Sequence, residues 1–166
     1  MDAIECLKTR MSVRRFKEDE IEKDDLRIIL ECALSAPSGS NLQPWEFFVV
    51  HDEERLKKLS GLVTYGRFIK NASFCIVVTG DESKSTHVVE DCSAATENIL
   101  LAAHALGYGG CWVAGWRKEY EGDVLEIIGT KEKKNLRLVS LVPIGVPEIE
   151  IGKKKKRSLE DAVHFL

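Results

Sequence analysis

The sequence predicts a chain of mixed α and β class built on one core, and three observations carry that prediction. Phe74-Cys75-Ile76-Val77-Val78-Thr79 is continuously apolar, the pattern of a strand buried on both faces. Residues 24–35 set Leu26, Ile29, Leu30 and Ala33 along one helical stripe. Residues 88–106 carry Ala94, Ala95, Ile99, Leu101, Ala102 and Ala105, a long helix that is apolar on several sides and therefore central.

Composition sets the bounds. A chain of 166 residues suggests a single domain spanning 1–166. Area scaling predicts roughly 8,000 Å² exposed when folded against about 27,000 Å² unfolded, enough burial for a real core. Hydrophobic content of 44% with 31% charged residues describes a soluble globular protein. No apolar run reaches membrane-spanning length and Met1-Asp2-Ala3 opens no secretory signal, so a cytoplasmic location is expected. Cys6, Cys32, Cys75, Cys92 and Cys111 are odd in number and form no C-x-x-C, which reads as reduced, mostly buried thiols. A net charge of −3 gives wholesale nucleic-acid binding no electrostatic basis. The charge is uneven, with Arg10, Arg14 and Arg15 near one end and Lys153 to Arg157 near the other.

Taken in order, residues 2–8 form a short helix with Ile4 and Leu7 inward. In an extended segment beyond it, Arg10, Ser12 and Arg14 alternate with Met11 and Val13 and share one side. Two guanidinium forks about a hydroxyl suit an anion, although solvated arginines on an edge strand fit the same pattern. The helix over 24–35 is followed by Ala36-Pro37-Ser38-Gly39-Ser40-Asn41-Leu42-Gln43-Pro44-Trp45. Pro37 and Pro44 stiffen this loop, Gly39 frees one position, and Ser38, Ser40, Asn41 and Gln43 line it with hydrogen-bonding groups. Such a loop either joins a helix to a strand or holds a ligand above a sheet. A strand over 46–50 follows, then a helix capped by Asp52, running to about Leu59 and ended by Gly61.

Residues 81–86 form a polar loop before the central helix. Gly107-Tyr108-Gly109-Gly110-Cys111-Trp112-Val113-Ala114-Gly115-Trp116 is rich in glycine but follows a helix, so it is not a dinucleotide fingerprint. It fits a backbone lying close to something flat, or a helix C-cap leading into a strand. Cys111 lacks an adjacent base and reads as a packing thiol. His104 reads as a packed or surface residue, and no histidine pair has metal-ligand spacing. A helix over 118–128, a polar turn over 129–135 and a strand over 136–144 complete the body. Gly145-Val146-Pro147 ends regular structure, and the short segment 158–166 must pack on the body or on a partner chain.

Four separated pieces together resemble the nitroreductase-like FMN-dependent oxidoreductases. They are Arg10-x-Ser12-x-Arg14, the proline-bracketed loop, the segment from Asp91 through Gly107-Tyr108-Gly109-Gly110-Cys111-Trp112, and the ending. That ending is Leu141-Val142-Pro143-Ile144-Gly145-Val146-Pro147 followed by Lys155-x-Arg157 and Leu159-Glu160. The resemblance implies an α+β fold, a mixed β-sheet flanked by helices, in an intertwined homodimer with FMN at each subunit interface. It implies that Arg10 and Ser12, with Lys155 and Arg157, hold the FMN phosphate, that Met11 between them is a further cofactor-binding residue, and that Arg14 faces the flavin near N1 and O2. It further implies that Pro37, Ser38, Gly39 and Asn41 reach the flavin of the partner subunit. By the same resemblance, Ala114 and Gly115 match the segment whose backbone is expected to lie against the ring, with an amide near N5.

The implied activity is electron transfer from NADH or NADPH, through FMN, to nitroaromatic, quinone or related acceptors by a ping-pong mechanism. No dedicated acid or base is expected. A flavin-binding sensor or carrier, or a specialised relative such as a reductive dehalogenase, would share the site. The chain departs from the pattern at Tyr65 and Phe68, aromatic where many relatives are polar or basic, and at Ala114, acidic in some relatives. Its 61–70 segment is also short.

Overall fold

Strand β2 (Phe74–Asp81) and strand β5 (Leu136–Gly145) form the centre of the sheet, because nearly every residue in both is buried. The computed structural model describes residues 1–149 and 156–166. The other elements are helices α1 (Ala3–Thr9), α2 (Lys23–Leu34), α3 (Glu53–Leu62), α4 (Val88–Ala105) and α5 (Glu121–Ile127), and strands β1 (Trp45–Val50), β3 (Gly109–Gly110) and β4 (Val113–Ala114). Strand order is β1-β2-β5-β3, with β4 also paired to β5. The named strands pair antiparallel, and the parallel contribution to the expected mixed sheet comes from the isolated bridge between Ser12 and Gly110.

Period-two alternation builds three layers on this sheet. Phe74, Ile76 and Val78 face one way with Val142 and Ile144, against Ile29 and Ala33 of α2 and Ala95 and Ile99 of α4. Cys75 and Val77 face the other way with Leu138 and Leu141, against Leu56 and Leu59 of α3 and Val124 of α5. The continuous apolar run of β2 is thus explained by helices on both faces. The register slips between Val78 and Thr79, whose partners are Ser140 and Leu138. Val139 is the extra residue of this bulge, and bulges re-aim the backbone beside sites.

Several boundaries differ from those the sequence suggests. Gly61 lies inside α3 rather than ending it, and nothing crowds the position. The helix stops when Val63 turns extended, at φ −88° and ψ 114°. Helix α5 starts later than expected because the chain first makes a turn through Arg117, which has a left-handed φ of 53°. Cys6, Cys75, Cys92 and Cys111 are buried and Cys32 is half-buried, and no disulfide forms among the described residues. Segment 156–166 leaves Leu159 74% and Phe165 96% exposed within the single chain, so it does not pack on its own body. Among the described residues, no helix is long and apolar enough to cross a membrane.

Candidate functional site

The N-terminal segment is fastened to the far end of β5. Asp2 caps α1 through Oδ1, which accepts the Ile4 and Glu5 amides at 2.9 and 3.0 Å. Beyond the helix the Val13 amide donates to the Gly110 carbonyl at 2.9 Å and the Lys17 amide to that of Val146 at 2.9 Å. Val13 and Phe16 are buried. A side chain at Gly109 would meet Val13 Cβ at 2.7 Å, so glycine is what allows the segment to lie this close.

The arginines of this segment take different neighbours. Arg10 Nε lies 3.1 Å from Glu97 Oε1 on α4. Arg14 is exposed, with its guanidinium 5.9 Å from the centroid of the Phe68 ring, and Phe68 in turn lies 6.4 Å from Phe16. Arg15 is paired with Glu148 at 2.8 Å. Met11 and Ser12 are half-buried between the two ends of this strap.

Arg14 opens onto a cleft of about 500 Å³, whose lining also includes Tyr65, Phe68, Cys111, Trp112, Ala114, Lys118 and Tyr120. Its back wall is the edge of β4, aimed by the β5 bulge. The Val139 carbonyl accepts both the Gly115 amide at 2.9 Å and the Trp116 amide at 3.2 Å, and Cys111 N donates to the Pro143 carbonyl at 3.3 Å. Antiparallel alternation then turns the Ala114 N–H away from β5 and toward the open side. The Tyr120 hydroxyl donates to the Ala114 carbonyl and holds this edge in place. Burial, with Glu119 nearby, raises the Tyr120 pKa, so the phenol keeps its proton. Gly115 cannot be larger, since a Cβ there would meet Leu138 Cγ at 2.5 Å.

The proline-bracketed loop lies beside the N-terminus of α4. Ser40, Asn41 and Gln43 have φ of 49°, 56° and 47°, the left-handed region that costs a non-glycine residue roughly 1–2 kcal/mol each. Internal bonds offset part of this: Ser38 Oγ accepts the Gln43 amide at 3.0 Å, and the Leu42 amide donates to the Gly39 carbonyl at 3.0 Å. The Gly39 amide leaves the loop and donates to Asp91 Oδ1 at 2.9 Å. Pro37, Ser40, Asn41, Leu42 and Gln43 are exposed.

The structure therefore brings Arg14 and Ala114 to one cleft, buries Gly115 behind it against Leu138, sets Arg10 against α4, and presents the loop at a separate surface. Lys155 lies outside the described residues. Arg157 is exposed and its guanidinium donates to the Asp161 carbonyl within the tail. Glu97, Asp91 and Tyr120 were not singled out by the sequence as site residues. Each acts through a partner distant in the chain or through a backbone carbonyl, which leaves no local motif. Among the described residues, no group of three or more His, Cys, Asp or Glu side chains could hold a metal.

Comparison with known proteins gives the class to which this fold belongs. The model of the Nitroreductase family matches residues 7–66 and 62–146, and the chain belongs to that family. A protein of Archaeoglobus fulgidus, provisionally named an NADH dehydrogenase/NAD(P)H nitroreductase, is 44% identical over 154 residues, 88% of this chain and 87% of its own. A crystal structure from Bacteroides thetaiotaomicron, with the same provisional name, superposes with a TM-score of 0.90 at 33% identity and covers 98% of this chain and 96% of its own. An FMN-dependent nitroreductase from Clostridium difficile R20291 has a TM-score of 0.84 at 37% identity and covers 98% of both chains.

Proposed function

We propose that this chain is an FMN-dependent oxidoreductase that moves two electrons from NADH or NADPH to a nitroaromatic, quinone or related planar acceptor. The observation that carries this reading is the convergence of a cation, Arg14, and an outward backbone amide, Ala114 N–H, on one cleft walled by Phe68 and Trp112. At about 500 Å³ the cleft has the volume of an ordinary cofactor site. The donor set fits a flavin ring, with apolar walls for its faces, an amide for its edge and a positive charge where reduction adds negative charge.

Bound FMN supplies the hydride-accepting and electron-donating chemistry. Arg14 stabilises the charge of the reduced state. The Ala114 N–H, fixed by Tyr120 and the Val139 carbonyl, orients the ring edge. Phe68 and Trp112 exclude water from the ring faces. Arg10 and Ser12 hold the phosphate together with Lys155 and Arg157, and Met11 is a further FMN contact. Nicotinamide and acceptor alternate in the cleft, which gives ping-pong kinetics.

The same reading makes the protein a cytoplasmic homodimer of one domain spanning 1–166, with FMN at the interface and Pro37, Ser38, Gly39 and Asn41 reaching the partner's flavin. In support, the single chain exposes 10222 Å², against about 8,000 Å² for a compact monomer of this mass. The excess includes the apolar side chains of the tail and Ile4 and Leu7 of α1. In support of one domain, the two main core clusters pack on opposite faces of the same sheet.

The test is titration of purified protein with FMN, followed by initial rates with both nicotinamides against a panel of acceptors. A perturbed flavin spectrum, a thermal shift and parallel double-reciprocal lines are expected. Absence of any spectral or thermal response to FMN would overturn the reading. Tight binding without acceptor-dependent oxidation would make the chain a flavin carrier.

A further inference from the structure

Asp91 is a buried carboxylate outside the cleft. It lies in the first turn of α4, only 5% exposed, among Val88, Cys92 and Ala95. Both of its oxygens are engaged. Oδ1 accepts the Gly39 amide at 2.9 Å, and Oδ2 accepts the Ser85 hydroxyl at 2.9 Å. The Ser85 oxygen in turn accepts the His87 amide at 3.0 Å. The His87 ring closes over Gly39, where an added Cβ would lie 3.2 Å from its Cδ2. A chain of hydrogen bonds thus runs from the start of α4 into the proline-bracketed loop.

Burying a carboxylate in apolar surroundings is costly, and well-packed apolar residues commonly do as well or better for stability. The helix N-terminus and two hydrogen bonds offset the cost here. Their geometry serves the loop. Among the described residues, the Gly39–Asp91 bond is the only side-chain hydrogen bond joining residues 37–43 to the rest of the molecule, the others being internal to the loop. Three non-glycine residues in that loop, Ser40, Asn41 and Gln43, hold left-handed backbone conformations. Such conformations persist where the surroundings over-determine them.

We infer that Asp91 is a positioning residue: through the Gly39 amide it clamps the strained 37–43 loop in the conformation that meets the flavin of the partner subunit. This rests on the functional reading above, in which Pro37, Ser38, Gly39 and Asn41 contact that flavin. Asp91 touches neither cofactor nor substrate, and its effect is carried by the backbone of the loop. Ser85 and His87 orient its second oxygen.

The experiment compares the wild-type chain with Asp91→Ala, Asp91→Asn and Ser85→Ala. Amide hydrogen exchange is measured without FMN, and FMN affinity is measured by fluorescence titration. Asp91→Asn keeps an acceptor for Gly39 and a polar group for Ser85, so it should bind FMN within about threefold of wild type. Asp91→Ala should bind at least about tenfold more weakly, and amides 39–43 should exchange at least about tenfold faster while the C-terminal half of α4 stays protected. Ser85→Ala leaves the Gly39 bond in place and should fall between, which keeps the inference testable if Asp91→Ala does not fold. Wild-type loop exchange and FMN affinity in Asp91→Ala, or in Ser85→Ala with Asp91→Asn no better than it, overturns the inference. Uniformly faster exchange across the whole chain also overturns it, since that marks a purely structural role. If wild-type protein binds no FMN, the functional reading fails by itself, and the exchange measurement still decides whether Asp91 clamps the loop.

Discussion

Arg10 and Arg14 lie four residues apart and have opposite surroundings. Arg10 is held against Glu97 on α4, whereas Arg14 makes no ion pair among the described residues and lies over the Phe68 ring at the cleft. Arg10→Ala should therefore weaken FMN binding by about 1.5–3 kcal/mol, the range for a hydrogen bond to a charged group, with little change in potential. Arg14→Gln should lower the midpoint potential of bound FMN by on the order of 30 mV, equivalent to about 1.4 kcal/mol for two electrons. Spectroelectrochemistry and fluorescence titration separate the two, and equal shifts in both quantities for both variants would contradict these assignments. His104 is a second residue-scale case. It is buried, its Nε2 lies 2.8 Å from Thr9 Oγ1, and burial, with Arg10 nearby, lowers its pKa below 6.5. As pH falls through 6.5, the unfolded chain takes up a proton that the folded chain refuses until its own lower pKa is reached, so stability falls through that window. Urea unfolding between pH 7 and 5 should show this decline, and His104→Asn should flatten it. The thiols add a negative expectation: burial pushes Cys92 up to about 12, so it should resist alkylation at neutral pH until the chain unfolds.

At the scale of elements, the cleft depends on how β4 meets β5. The Val139 bulge supplies a carbonyl that takes two successive amides, and Gly115 allows the strand to press against Leu138. Gly115→Ala would put a methyl group 2.5 Å from Leu138 Cγ. It should destabilise the protein by about 1–3 kcal/mol, as overpacking does, and should impair flavin binding through the displaced Ala114 amide. Thermal melting with and without FMN tests this, and in a double-mutant cycle the Gly115→Ala cost should be smaller when measured on a Leu138→Ala background than on the wild type. The glycine-rich segment was legible as backbone close to something, yet the sequence left open whether that neighbour was a ligand or the next strand. Gly109 and Gly115 meet protein, Val13 and Leu138, while the edge between them faces the cleft.

For the whole molecule, the single chain exposes apolar surface at its tail and at α1 and leaves Arg157 exposed, bonded within the tail to the Asp161 carbonyl. On the proposed dimeric reading, in which the tail covers apolar surface of a partner chain, deleting 156–166 should lower FMN affinity at least about tenfold and shift sedimentation from dimer toward monomer. Wild-type protein that sediments as a monomer while binding FMN tightly would contradict the dimeric site.

Element identity was legible because hydrophobic period is a local property. The buried run of β2, the stripe of α2 and the long apolar α4 each carry their pattern within a few turns. The loop between Pro37 and Pro44 was marked by its composition for the same reason. Only the tertiary structure decided which remote polar groups meet. Gly39 finds Asp91 across 52 residues and Arg10 finds Glu97 across 87. Nothing in the short-range pattern encodes such pairs, since they exist only once sheet register and helix packing have fixed the distances between remote segments.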